Sequence, residues 1–314
     1  MTRRRRLLRR GALLALVALL IAVPLTAGAV WTNALGAGDR FERLLYHIDL
    51  IIDPPPDRPT VATVEVTPRP LSTLSSTPTV PTVGGGTAVP PIPTPTASPV
   101  PTRAKVDVRL AAVPRQAFIS QQDKDSCAVA GTQIALAILG LADNEARTQR
   151  RIADRIKEWE SRRDSRNGGW GPGAIAQALA AYGATGYELR AYERRSDALF
   201  DAAKALSATG KPVILIAWRG AHTWVMTGYR ADADPLVFED ADVTGTYIYD
   251  PWYPRVSSIW GPSDKPGVFQ NTAEMRRNYL PWRRPEGRYP DRDGLFLAIV
   301  PTTAAGGVPI VAAP

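Results

Sequence analysis

Apolar and polar positions follow several distinct rhythms along this chain of 314 residues. Residues 12–30 are apolar almost throughout and follow a basic head, the pattern of a signal peptide or a single membrane-spanning helix. Within 39–53, Phe41, Leu44, Leu45, Ile48 and Ile51 recur at helical spacing. That predicts a short amphipathic helix lying at a membrane surface or pairing with a second copy of itself. From 54 to 104 the rhythm gives way to Pro, Thr, Val and Ser, broken by Gly84, Gly85 and Gly86. Such a stretch cannot assemble a core and reads as a disordered spacer, extending on the order of 100 Å or more in polyproline form. Periodicity returns at Lys105 and lasts to Pro301. The expected organisation is a basic head and membrane segment at 1–31, a juxtamembrane helix at 32–53, a linker at 54–104, a folded domain at 105–301 and a flexible tail at 302–314.

The first half of the folded domain has a helical pattern. Ala128, Val129, Ile134, Leu136, Ile138 and Leu139 make a segment that is apolar nearly all round, which predicts a buried helix. Asp125 and Ser126 are both good N-cap residues and place Cys127 in its first turn. Ile152, Ile156 and Trp159 mark an amphipathic helix over 145–159. After a Gly-rich loop holding Trp170 and Gly171, Pro172 opens a third helix that ends at Tyr182-Gly183. A fourth covers 196–208, with Ser196 and Asp197 at its start. The second half turns to strands. Residues 213–218, VILIAW, are continuously apolar, as in a central buried strand. Arg219-Gly220-Ala221 makes a tight turn, and 222–229 resumes as a strand in which His222, Trp224 and Met226 share one face. A further strand at 246–249 stops at Asp250-Pro251-Trp252.

Charge and cysteine content narrow the chemistry. The formal net charge is +8, but Arg3, Arg4, Arg5, Arg6, Arg9 and Arg10 supply six of the 38 basic residues. The other 32 face 30 acidic ones, so the balance beyond the head is near +2 and gives no case for nucleic-acid binding. One cysteine excludes internal disulfides and Cys-rich zinc sites, and two histidines leave little for metal binding. No metal or cofactor is implied. His47 has no ligand partners nearby in sequence and reads as a surface histidine. The positive-inside rule keeps the arginines in the cytoplasm and puts everything after Val30 outside, either anchored by 12–30 or secreted after cleavage near Ala29.

Cys127 is the natural centre of a site. A thiol at a helix start meets the positive end of the dipole and unpaired backbone N–H groups, which favour the anion. Gln121, six residues upstream, is close enough to fold its amide back beside the sulfur, giving half of an acyl-transfer site. The alternative is a lone cysteine serving as a small buried apolar residue. His222, at a strand start, and Asp250, at a strand end before proline, lie where active-site residues often lie. Asp250 reads equally as a turn former or as the group that orients an imidazole. Trp170 either floors a cleft or caps the core.

Taken together, QQDKDSC, GPGAIAQALAAYG, the TGKPVILIAW–RGAHTWVMTGY hairpin and YIYDPW resemble the papain-like cysteine peptidases. More narrowly, they are similar to the bacteriocin-processing (double-glycine leader) peptidase group, over about residues 115–253. The resemblance implies an α+β, papain-like fold: a helical N-terminal half whose nucleophile helix packs on an antiparallel β-sheet. It implies Cys127 as nucleophile, His222 as base, Asp250 as the partner that fixes the imidazole, and Gln121 with the Cys127 N–H as oxyanion hole. Gln122 takes that place if the loop is displaced by one residue. Trp170, Gly171, Ala128 and Trp224 are the candidate substrate contacts, and a peptide or protein is the implied partner. Two departures stand out: Ala128 replaces the glycine usual after the cysteine, and the His222–Asp250 interval is long, with Asp232, Asp234, Asp240 and Asp242 inside it. The sequence carries no transporter and the domain is expected outside the cell, so double-glycine leaders are not the expected substrate. An inactive peptide-binding domain, a thiol amidase and a transglutaminase-like acyl transferase remain as alternatives to the peptidase.

Overall fold

The computed structural model of the chain describes residues 22–28, 48, 62–69, 101–159, 170–283, 289–302 and 307–312. The chain divides into two units, Met1–Asp57 with Arg166–Gly168, and Arg58–Ser165 with Gly169–Pro314. In the first, the described residues are an exposed helical stretch at 22–28 and the exposed Ile48. Among the described residues no helix is long and apolar enough to cross a membrane. Most of the expected membrane segment and of the juxtamembrane helix lies outside the described residues.

The second unit is α+β. Along the chain it forms β1 (Thr63–Val66), β2 (Val106–Leu110), α1 (Pro114–Ala117), α2 (Cys127–Ile138), α3 (Ala146–Asp154), α4 (Ile156–Trp159) and α5 (Pro172–Ala181). It continues with β3 (Tyr187–Tyr192), α6 (Arg195–Thr209), β4 (Val213–Ala217), β5 (His222–Ala231) and β6 (Val243–Tyr249). The last elements are β7 (Val256–Ser257), β8 (Gly261–Pro262), β9 (Val268–Asn271), α7 (Thr272–Asn278), β10 (Phe296–Pro301) and β11 (Ile310–Ala312). Nine strands form one sheet in the order β1-β3-β10-β4-β5-β2-β11, with β6 on the other edge of β5 and β9 beyond it. All its pairs are antiparallel except β1 with β3.

Strand β5 is the hub. β4 runs beside its first half, from Ala217↔His222 to Val213↔Met226, and β2 beside its second half, from Arg109↔Gly228 to Val106↔Ala231. β4 is buried at all five positions, as its unbroken apolar run requires. Each buried Val, Ile or Leu there contributes about 1.5–3 kcal/mol of transfer free energy. α2 is buried from Ala128 through Leu136 and again at Ile138. Its close packing on β5 turns on Gly131, where an added Cβ would lie 2.7 Å from Thr223 Cγ2.

Several helix ends depart from expectation. The helix expected over 145–159 is interrupted at Arg155, where the chain leaves helical geometry between α3 and α4. α6 begins at Arg195 rather than Ser196, and its N-cap is Arg194. Asp197 is not a cap; it is buried and paired with Arg194 and Arg69.

Two larger corrections concern the flanks. Residues 54–104 were expected to be spacer throughout, yet β1 pairs in parallel with β3, from Thr63↔Leu189 to Val66↔Tyr192. Arg69 holds this segment down. Its guanidinium pairs with Asp197 at 3.1 Å, donates to the Glu239 carbonyl at 2.8 Å and lies 3.9 Å above the Phe200 ring. Three of the four residues in the TVEV run are β-branched, within a Pro/Thr-rich composition, and an open strand edge gives it the partner that the composition alone does not reveal. Likewise, 302–314 is not simply a tail, because β11 pairs with β2.

Two consequences are measurable. Arg69→Ala removes a charge-assisted bond from buried Asp197 and should lower unfolding free energy by about 1.5–3 kcal/mol, read as a lower denaturant midpoint. Gly131→Val overpacks the α2–β5 contact and should lower it by about 1–3 kcal/mol. The same variant should slow alkylation of Cys127 if helix and strand are forced apart.

Candidate active site

Cys127 is the first residue of α2, half-buried, with Ser126 at the N-cap. The Ser126 side chain does not cap the helix. Its hydroxyl accepts from Asp123 N at 3.0 Å and donates to the Asp123 carbonyl at 3.1 Å, closing the preceding loop on itself. The first-turn N–H groups of α2 are therefore left without a side-chain cap, beside the thiol. The Cys127 Sγ lies 3.8 Å from the carbonyl of Ala221, the residue before His222.

His222 and Asp250 are both buried. The His222 Nε2 is 2.7 Å from Asp250 Oδ1, which also accepts from Trp252 N at 2.8 Å. The carboxylate that holds the ring thus also shapes the turn that carries it. With Nε2 committed to Asp250, Nδ1 is the nitrogen left for the thiol. Burial is the largest single influence on the imidazole and lowers its pKa. The charge and hydrogen bond of Asp250, with a hydrogen bond and charge interaction from Cys127, outweigh it and raise the pKa from 6.5 to about 9.

The turn before His222 is strained. Trp218 and Arg219 have φ of 52° and 60°, in the left-handed region that non-glycine residues rarely occupy. Gly220 continues it at φ +89°, with no room for a Cβ against Trp282. Neighbours hold the turn in place: Trp218 Nε1 donates to Asn278 Oδ1 at 3.2 Å, and Arg283 N donates to the Arg219 carbonyl at 3.2 Å. The Trp218 ring then stacks on the His222 imidazole, centroids 4.0 Å apart and 19° from parallel, while Trp260 also stacks on Trp218. Sequence reasoning missed both tryptophans. The signal was an aromatic residue four positions before the histidine, across a tight Arg-Gly turn.

Of the two glutamines, Gln121 is the buried one, at 1% exposure, whereas Gln122 is exposed. Gln121 N donates to the Pro251 carbonyl at 2.8 Å, tying the loop before the cysteine to the turn after Asp250. Its side-chain amide, however, donates to the carbonyls of Asp123 and Lys124 at 2.7 and 3.0 Å. Gln121 Oε1 is buried and, among the described residues, has no hydrogen-bond partner. The loop hangs from a second pair of glutamines absent from the sequence reading. Gln149 Oε1 accepts from Gln122 N at 2.7 Å, and Gln149 Nε2 donates to Gln133 Oε1 at 3.2 Å.

The candidate substrate contacts separate. Ala128 is buried in the core. Trp224 is 3% exposed and also belongs to the core. Trp170 packs edge-on against Trp159 with centroids 5.3 Å apart, consistent with the core-capping alternative, and Gly171 is the buried N-cap of α5. Within the acidic insertion, Asp232 and Asp240 pair with Arg103. Among the described residues there is no group of three or more His, Cys, Asp or Glu placed to hold a metal ion.

Such an arrangement can transfer a proton from thiol to imidazole and hold the resulting imidazolium against a carboxylate. Comparison with known proteins adds the following. One solved structure similar to this chain is a double glycine motif protease from an AMS/PCAT transporter, in complex with the leader peptide. It is 16% identical, and the match covers 63% of this chain and 99% of that one at a TM-score of 0.31. No curated protein matches the chain. The profile of the Peptidase_C39-like family matches residues 114–279, which spans the half-buried cysteine, the buried histidine and the buried aspartate described above. The chain belongs to the Peptidase_C39-like family.

Proposed function

We propose that the protein is a cysteine peptidase that hydrolyses peptide bonds outside the cytoplasm, tethered through its N-terminal apolar segment. The observation that carries the reading is the buried His222 ring, bonded to Asp250 on one nitrogen and interacting with Cys127. In the proposed reaction, the Cys127 Sγ gives its proton to His222 Nδ1 and attacks the peptide carbonyl carbon. The tetrahedral oxyanion is met by the Cys127 N–H and the amide of Gln121. The C–N bond breaks as His222 returns the proton to the leaving amine, leaving a thioester. Water then attacks that thioester, gives a proton to His222 and releases the acid and the free thiol. The tether and its orientation are supported by the arginine cluster before residues 12–30.

One observation favours a second reading, in which the domain binds peptides without cutting them. The Gln121 amide is committed to its own loop, so it must turn by letting go of two carbonyls before it can serve an oxyanion.

Alkylation separates the two readings. With one cysteine in the chain, iodoacetamide reports on Cys127 alone. A coupled pair gives fast alkylation that is lost in His222→Ala, and peptide hydrolysis that falls by about 10³-fold or more in either Cys127→Ala or His222→Ala. Slow alkylation indifferent to His222 would leave the binding reading. Protease protection of the folded unit in intact cells, set against lysed cells, tests the location, and full protection by the intact cell would refute it.

The pH profile is a further test. The proton that His222 gives to the leaving amine is present below its pKa, so hydrolysis should fall as pH rises through about 9. Asp250→Ala removes a raising influence and leaves burial, which lowers the pKa, so the alkaline limb should move to lower pH. A limb that stays in place in this variant would detach Asp250 from the imidazole.

A further inference from the structure

The loop after Asp250 runs on into a small hairpin, β7–β8, that lies outside the main sheet. It exposes Val256 at 69% and Ile259 at 80%, the two most exposed large hydrophobic residues among the described residues of the second unit. The exposure is built in, because the tip is held. Ser257 Oγ accepts from Ile259 N and Trp260 N at 3.2 and 3.1 Å, and Ser263 donates to the Arg255 carbonyl through both its N–H and its hydroxyl.

This hairpin is attached to both sides of the candidate site. On the histidine side, the Trp260 ring lies flat on Trp218, centroids 5.7 Å apart and 5° from parallel, and Trp218 lies on His222. On the cysteine side, the Arg255 guanidinium donates to the Gln122 carbonyl at 3.1 Å. An imidazolium that protonates a leaving amine must face the amine side of the scissile bond. Trp218 and Trp260 link that histidine to the hairpin, which carries the exposed Val256 and Ile259.

We propose that the β7–β8 hairpin is the wall of a subsite for the leaving-group side of a peptide, and that Val256, Ile259 and Trp260 select an apolar side chain within the first few residues after the scissile bond. The proposal rests on the peptidase reading for its polarity. A rigid apolar lip gains by being covered, and the side chain that covers it most favourably is apolar. The hairpin is tied to the turn before the histidine through Trp260 and Trp218 and to the loop before the cysteine through Arg255, so the occupant is the substrate chain and not a separate partner.

The test uses the full chain and a synthetic decapeptide library, with the new N-termini of the products sequenced. For the wild type, products with Leu, Ile, Val, Phe or Met in their first three positions should outnumber those with Ser, Asp or Lys there. In Val256→Ser/Ile259→Ser the ratio should fall about tenfold. Iodoacetamide labelling of Cys127 in the same double variant checks that the site is intact and is expected at the wild-type rate. An unchanged ratio would overturn the proposal. A second arm keeps it separate from the peptidase reading: fluorescent peptides, apolar or polar on the C-terminal side of their centre, are titrated onto Cys127→Ala with and without the hairpin substitutions. If the wild type cuts nothing, the peptidase reading fails, while a preference of Cys127→Ala for the apolar set that the hairpin changes abolish would sustain the apolar subsite. Equal affinity for both sets, or no binding of either, would end it.

Discussion

The distance at which one helix can lie against one strand governs the rest of this molecule. α2 carries the cysteine at its first residue, and β5 carries the histidine at its first residue. The two chains can come together only because Gly131 offers no side chain where Thr223 stands. Close packing of this kind tolerates little added volume. Ala128 and Ala135 on the same helix are buried, so α2 settles into the core as a slim rod whose N-terminal end reaches the Ala221 carbonyl. The thiol's position is thus a packing result, set by small residues far from any chemistry.

The imidazole is governed by a different constraint. Burying a titratable ring and a carboxylate together is favourable only if each satisfies the other, and removing either leaves an orphan in a dry place. Asp250 meets that demand while also fixing its own turn through Trp252 N. The backbone before His222 is forced through two left-handed non-glycine residues, and Asn278, Arg283 and Trp282 hold that geometry from outside. Trp218 turns the strained turn to use: its ring closes one face of the imidazole and passes the contact on to Trp260. Histidine, strained turn and hairpin are therefore linked through stacked rings.

The margins of the sheet show how a fold recruits chain that has no core of its own. β3 and β2 would each present an open row of backbone donors and acceptors. β1 covers the first and β11 the second, drawn from segments with the composition of linker and tail. Arg69 makes the first of these attachments specific, combining an ion pair with buried Asp197, backbone acceptors and the face of Phe200. Residues 62–69 are thereby part of the domain and cannot serve as spacer.

By itself the sequence determined the helix of Cys127, the buried β4, the strand that begins at His222 and the strand that ends at Asp250. These are local matters: an unbroken apolar run, a turn of Arg-Gly-Ala, a proline after an aspartate. It also singled out the cysteine and the histidine, because the chain offers one cysteine, and one histidine in the domain; the aspartate's role came from the resemblance, since its local pattern reads equally as a turn former. Tertiary structure alone decided which of the long-range partners meet. The pairing of β1 with β3, the stacking of Trp260 on Trp218, the suspension of the Gln121 loop from Gln149 and the core placement of Trp224 each join residues whose local patterns say nothing of one another. Backbone groups at a sheet edge accept any extended segment, and a glutamine or tryptophan serves core and site equally well. Where a residue type fits several environments, only the fold's packing selects among them.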